Sequence, residues 1–254
     1  MRIAIVAAVA LSLTLAVAPS VQAITFEFAS GNRAGEATFT KVGSNLVVQL
    51  TNTSTYDVTK PTDVLTGVFF DLQGNVKLSA LSAVLAPGSS VLFDSAPVGG
   101  VVGGEWAYNK WASNVAPGTA HQGISSSGLG LFGSGDRFPG SDLDSPASPD
   151  GLNYGLTSAG DNPLTGNKPV TGKEPLILNS VIFTLGGLAP DFDPTTDIFN
   201  VWFQYGTDLC EPHFSGTSQP PPPSAGAPVP EPITLTGLTL GVAGIARYLR
   251  RRNK

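Results

Sequence analysis

Soft and imidazole ligands are almost missing from this 254-residue chain, which has one cysteine, two histidines and one methionine. A single thiol, Cys210, excludes an intramolecular disulfide even where the compartment would permit one. Two roles remain for it: packing as a small hydrophobe in the core, which is the expectation, or pairing with another chain. With only His121 and His213, a polyhistidine metal centre is excluded, and any Ser-His-Asp arrangement would have to use one of the two. His121 lies near Ser125, Ser126 and Ser127, but proximity in sequence is not triad geometry, and a hydrogen-bonded or surface histidine is expected. No Gly-x-Ser-x-Gly elbow occurs. A phosphate loop is absent too, because Gly166 and Gly172-Lys173 are wrongly spaced and Glu174 stands where Ser or Thr would reach magnesium. Between the two ends of the chain, no stretch carries a long helical period with caps.

The two ends are different. Met1-Arg2, an apolar run from Ile3 to Ala18, Pro19-Ser20 and the small-x-small site Val21-Gln22-Ala23 compose a secretory signal peptide over residues 1–23. Its apolar run is short for a permanent span of about 20 residues. At the other end, Pro230-Glu231-Pro232 precedes an apolar run from Ile233 to Ala246. Beyond it cluster Arg247, Arg250, Arg251, Arg252 and Lys254. A core helix does not fit a segment that is apolar on all faces and ends in dense positive charge. A short transmembrane helix does: Gly237, Gly241 and Gly244 allow close helix contact, and the cationic cluster would stay cytoplasmic. The main domain would then lie outside, as the leader also requires.

These ordered parts resemble the PEP-CTERM sorting signal. The resemblance covers residues 229–254, with Ile233 where Ser or Thr is more usual. It implies processing by exosortase, a membrane-embedded cysteine peptidase, so the chain is read as a sorting substrate. The Gly-rich segment beginning Gly123-Ile124-Ser125, together with Val201 to Pro212 (VWFQYGTDLCEP), is also similar to a pattern in cyanobacterial exosortase-dependent surface proteins. That similarity implies a surface role and no chemistry.

Charge must be counted without the removable ends. Of 14 basic residues, Arg2 and the five of the tail are set aside, and of 19 acidic residues Glu231 is. Eight and 18 remain, a formal charge of about −10. An acidic surface argues against nucleic acid, which needs a basic stripe. The rest divides into a surface domain over 24–215, a Pro-rich linker over 216–229 holding Pro220 to Pro223 in extended geometry, and the sorting signal over 230–254.

Within the domain, apolar residues alternate with polar ones in short runs bounded by Gly, Pro and Asn. Ile24 to Phe28, Asn45 to Asn52, Val64 to Leu72, Ser90 to Asp94, Asn179 to Leu185 and Ile198 to Tyr205 read as strands. The expected fold is all-β, an antiparallel β-sandwich, with signal and transmembrane helices at the ends. From about 112 to 175 the chain is rich in Gly, Ser, Pro, Asn and Asp. A loop that long is unusual in a compact domain. Ile124, Leu129, Leu131, Phe132, Phe138, Leu152, Tyr154 and Leu156 suggest an ordered excursion tied down at intervals.

Two kinds of residue could carry a site. Asp191, Asp193 and Asp197 are spaced closely enough to offer oxygens to calcium, as are Asp136, Asp142, Asp144 and Asp150. Neither group is an EF-hand loop, and Asp193-Pro194 equally suits a turn in which Asp caps its own backbone. Trp106, Tyr108 and Trp111 could form a sugar-stacking platform, with Trp106 and Tyr108 on one strand face and Trp111 beyond the strand end; core packing is the competing role for such rings. The expectation is a non-catalytic exported surface or extracellular-matrix protein. Signal peptidase and exosortase would process it, a transient membrane anchor would hold it, and extracellular polysaccharide is a candidate partner. The alternatives are a carbohydrate-binding module or a hydrolase using paired carboxylates.

Overall fold

The computed structural model describes residues 22–115 and 117–219. The leader's first 21 residues, the sorting motif Pro230-Glu231-Pro232, the apolar run behind it and the tail arginines Arg247, Arg250, Arg251 and Arg252 lie outside the described residues. Among those described, no helix is long and apolar enough to cross a membrane.

Fourteen strands and one short helix are found among them. They are β1 (Ala23–Ser30), β2 (Arg33–Val42), β3 (Asn45–Asn52), β4 (Leu65–Leu72), β5 (Ser79–Leu85), β6 (Ser90–Leu92) and β7 (Ala107–Val115). There follow β8 (Ala120–Ser125), β9 (Leu156–Thr157), β10 (Leu176–Leu178), β11 (Ser180–Gly186), α1 (Pro194–Asp197), β12 (Ile198–Tyr205), β13 (His213–Ser215) and β14 (Thr217–Gln219). One sheet has the order β14-β1-β2-β3-β11-β5 and is antiparallel throughout. The other runs β13-β12-β4-β9-β10-β6, with β8 also pairing to β4 and β7 to β8. It is mixed: β9 and β10 are parallel, where an antiparallel arrangement was expected throughout. The sheets form a sandwich-like, mostly β domain. Sheet pairing continues through Gln219, into the segment assigned by composition to the linker.

Burial follows the alternation. In β3, Leu46, Val48 and Leu50 are fully buried while Val47, Gln49 and Thr51 are not. The β1–β2 and β2–β3 turns place Gly31 and Gly43 at φ 61°, the left-handed value that two-residue hairpins with glycine in their first central position require. Across the sandwich, aromatic rings meet: Phe39 of β2 is edge-on to Phe70 of β4 at 5.3 Å, and Phe28 of β1 lies 4.9 Å from Phe203 of β12.

The strand β4 departs from alternation, since all eight of its residues are buried. Val68 and Phe70 enter the sandwich core, whereas Phe69 enters a second cluster with Ala107, Ala120 and Phe132. A strand covered on both faces has no need of polar positions, which accounts for the continuous Val68-Phe69-Phe70 run. The Gly-rich excursion provides part of the second cover. Phe132, Phe138, Leu152, Tyr154 and Leu156 are buried, and Leu129 and Leu131 pack against the second cluster. Its backbone is fastened at intervals, by Phe138 N to Trp106 O (2.9 Å), Tyr154 N to Pro175 O (2.8 Å) and Asn167 N to Thr59 O (2.9 Å).

An ion pair joins the two layers at one end. Arg33 of β2 donates from Nη2 to Asp63 Oδ1 at 2.6 Å and from Nε to the Thr62 carbonyl at 2.8 Å. Asp63 is buried in the turn that leads into β4, where its other oxygen accepts from the Thr59 hydroxyl. Beside them, the Tyr205 hydroxyl of β12 donates to the Ala34 carbonyl at 3.1 Å. Removing one partner strands a buried charge. Arg33→Ala is expected to cost about 3–5 kcal/mol in denaturant unfolding, and Arg33→Met with Asp63→Leu together much less.

Candidate functional site

Two of the acidic trio in the β11–β12 loop, Asp193 and Asp197, serve their own turn. Asp193 Oδ1 accepts from Thr195 N (2.9 Å) and the Thr195 hydroxyl (2.8 Å), capping α1. Asp197 accepts from Asp193 N at 2.9 Å and from the Thr196 hydroxyl at 3.0 Å. Asp191 instead borders a cavity beside the end of β4. Among the described residues, no group of three or more His, Cys, Asp or Glu is placed to hold a metal ion.

The second acidic group divides. Asp136 accepts from Gly133 N at 2.9 Å within its own turn. Asp142, Asp144 and Asp150 converge with Ser148 and Asn153 upon Glu105, a residue that spacing did not single out. Glu105 sits in the Gly103–Glu105 turn with no exposed surface. Its Oε1 accepts from the backbone of Leu143 and, at 3.4 Å, of Asp144; its Oε2 lies 2.5 Å from Ser148 Oγ. Ser148 Oγ is also 3.2 Å from Asp150 Oδ1, and Ser148 N donates to Asp142 Oδ1 at 3.2 Å. Asn153 Nδ2 donates to Asp144 Oδ2 at 3.2 Å, and Arg137 pairs with Asp142 at 3.0 Å. The adjacent glycines make this approach feasible. A Cβ on Gly103 would fall 2.0 Å from the Pro139 carbonyl oxygen, and one on Gly104 would fall 1.7 Å from that of Ser141.

One hydroxyl hydrogen cannot satisfy two carboxylates, so Ser148 favours a proton on one of them. The electrostatics agree. Burial pushes the Glu105 carboxyl above its ordinary value, opposed by hydrogen bonds from Ser148 and Leu143 and reinforced by the Asp142 charge. Burial likewise raises Asp150, with Asp142 and Asp144 adding to the effect.

The three aromatic candidates do not form a platform. Trp106 is fully buried against Phe183 at 4.9 Å, and Tyr108 is buried in the same core. The Tyr108 hydroxyl donates to Gln122 Oε1 at 2.6 Å and accepts from Leu78 N. Trp111 lies within β7, not beyond it, and faces the other way, against Phe69 and Phe132. Because β7 continues a sheet with apolar cover on both faces, its alternation sends these rings into two separate interiors. Cys210 also corrects an expectation: it is exposed, in a turn after β12 where Asp208 accepts from its N–H at 2.8 Å.

His121 forms a different constellation from a serine triad. Ser125, Ser126 and Ser127 are buried, and Ser125 donates to the Thr66 carbonyl. On β8, His121 offers both its backbone N (2.8 Å) and its Nδ1 (2.9 Å) to Asp71 Oδ1 at the end of β4. Asn200 Nδ2 donates to Asp71 Oδ2 at 2.8 Å and to the Gly118 carbonyl at 3.0 Å. Trp202 Nε1 donates to Asn200 Oδ1 at 2.9 Å. Asp71 is thus a buried acceptor shared by β8 and β12, holding the imidazole with its proton on Nδ1. The histidine was visible in the sequence, but Asp71 and Asn200 were not. The only local signal for Asp71 is an acid ending an apolar strand.

No family model, curated protein or solved structure matches the chain.

Two expected outcomes follow from the Glu105 site. A carboxyl raised by folding stabilises the fold below its ordinary value near 4.5 and loses that contribution as pH rises through the raised value. Melting temperature should therefore contain a component that falls as pH climbs from about 4.5, and Glu105→Gln should flatten it; an identical pH slope in the variant would refute the assignment. Gly104→Ala should destabilise by about 2 kcal/mol or more in chemical denaturation, since the obstructing atoms are backbone.

Proposed function

We propose that the chain is a non-catalytic exported surface or extracellular-matrix protein, delivered by its leader and sorted through exosortase by its C-terminal signal. The observation that carries this reading is the order Pro230-Glu231-Pro232, apolar run and arginine cluster at Arg247, Arg250, Arg251 and Arg252. Residues 1–23 would form the signal helix and residues 233–246 a transient transmembrane helix, with exosortase and signal peptidase as processing partners.

The domain's geometry is compatible with such handling. β1 and β14 are paired neighbours, with Thr25 opposite Gln219, so both ends leave the domain at one edge. A leader and an anchor can then be attached or removed without crossing the sandwich. Removal of the leader after Ala23 would precede folding of that edge, because Ala23 pairs with Thr40 at the end of the β1–β2 ladder and Gln22 O accepts from Lys41 N. The non-catalytic reading is supported by the carboxylate cluster, in which Glu105 has no exposed surface and accepts hydrogen bonds from loop backbone. The net charge of the exported part disfavours nucleic acid as a partner.

Mass spectrometry of the extracellular protein's C-terminus tests this. The expected product lacks Arg250-Arg251-Arg252, and alanine at Pro230, Glu231 and Pro232 together should leave the protein membrane-bound and uncut. An intact arginine tail on the wild-type extracellular form would overturn the reading.

A further inference from the structure

Two clefts meet at the Leu72-Gln73-Gly74 turn that follows β4. One, of about 260 Å³, is completed by Asp71, His121 and Phe199; the other, of about 220 Å³, is bordered by Asp191, Phe192 and Asp197 among others. They share the lining of that turn, and the first, an open groove with Asp71, His121 and Phe199, is the candidate site.

Its most unusual feature is Phe199, a large ring that is 45% exposed. The backbone next to it is distorted. Asn200 has φ 53°, an uncommon value for a residue other than glycine, and the β12–β4 register shifts between Phe199 and Trp202. Ile198 and Val201 both reach the sandwich core although three residues apart, so the strand accommodates an extra residue here. Asn200 is held in this conformation by Asp71, Gly118 and Trp202. Asparagine adopts this region more readily than most residues, and its three hydrogen bonds fix the bulge that leaves Phe199 exposed.

The polar side of the groove is equally constrained. Asp71 engages His121 Nδ1, which leaves Nε2 without a hydrogen-bond partner among the described residues. Gln73 adds an amide, while Asp191 and Asp197 line the neighbouring cleft. The groove therefore combines one apolar ring face with the imidazole and an amide. Anions are disfavoured by Asp71, Asp191 and Asp197, and a metal ion by the lack of a suitable ligand group among the described residues. A sugar ring is complementary: its C–H face covers Phe199 while its hydroxyls meet His121 Nε2 and the Gln73 amide.

We propose that this groove binds a neutral oligosaccharide, with Phe199 as the stacking residue and His121, positioned by Asp71, as a hydroxyl acceptor. The site differs from the Trp106–Trp111 region and does not depend on processing of the tail. Failure here would leave the sorting proposal intact, and the reverse holds.

The test titrates the full-length chain, in a detergent without a sugar headgroup, with neutral trisaccharides of glucose, galactose and mannose. Calorimetry measures affinity, and the part of the tryptophan fluorescence change that is lost in Trp202→Phe gives a local readout, Trp202 being bonded to Asn200. At least one trisaccharide should bind saturably. Phe199→Ala should weaken it about tenfold or more without lowering the melting temperature, and His121→Gln should weaken it less; Leu164→Ala, at another exposed apolar residue, should change nothing. No binding of any trisaccharide at about 10 mM, a millimolar limit being weak recognition, would overturn the proposal. So would binding that Phe199→Ala leaves unchanged, or preference for a uronic acid trimer over every neutral one.

Discussion

The structure depends on one strand having no outside. Every residue of β4 is buried, so two interiors must be built around it rather than one. The sandwich core on one face follows ordinary alternation and needs only the opposing sheet. The other face has no third sheet. Phe69 and its neighbours are covered instead by Phe132, Leu129 and Leu131 of the Gly-rich excursion, with Trp111 and Trp202 at the sides. The long segment of weak secondary structure is a consequence of that requirement: a surface too apolar for water, with no regular element assigned to cover it.

A covering loop carries many backbone groups that must find partners away from helices and ladders. The Glu105 network meets part of that need. One carboxylate on a turn collects loop N–H groups, while Ser148 connects Glu105, Asp142 and Asp150, and Asn153 holds Asp144. Glycines at 103 and 104 let two backbones approach at a distance no side chain permits. The acidic residues that look like a cation site in sequence thus act here as acceptors for the loop, with Arg137 paired to Asp142. His121, Asp71 and Asn200 use the same principle at the other end of β4, except that there the buried acid fixes side chains that border an open groove.

Much of the sandwich was legible. The bounds of β3 and β12 were recoverable to the residue, because polar turn residues flank strong alternation. β2 was not singled out: its inward residues include Ala37 and Gly35, which leave little hydrophobic signal, and its ladder with β1 and β3 supplies the stability instead. The excursion's anchoring residues were legible as dispersed apolar side chains. The site residues were harder. Glu105 finds its partners 38 to 43 positions downstream, a separation no local pattern encodes. Alternation could separate Trp106 from Trp111, but it could not reveal that Phe69 and Phe132 lie on the face that Trp111 meets. Cys210 was misplaced because composition describes an average cysteine, whereas this one sits in a turn whose geometry is set by Asp208.

The pairing of β1 with β14 has a mechanical meaning. Three residue pairs join β14 to β1, whereas eight join β1 to β2. A pull on the C-terminal end of the domain would meet the three pairs of β14 before the eight of β1–β2, so the edge strand would yield ahead of the ladder beneath it.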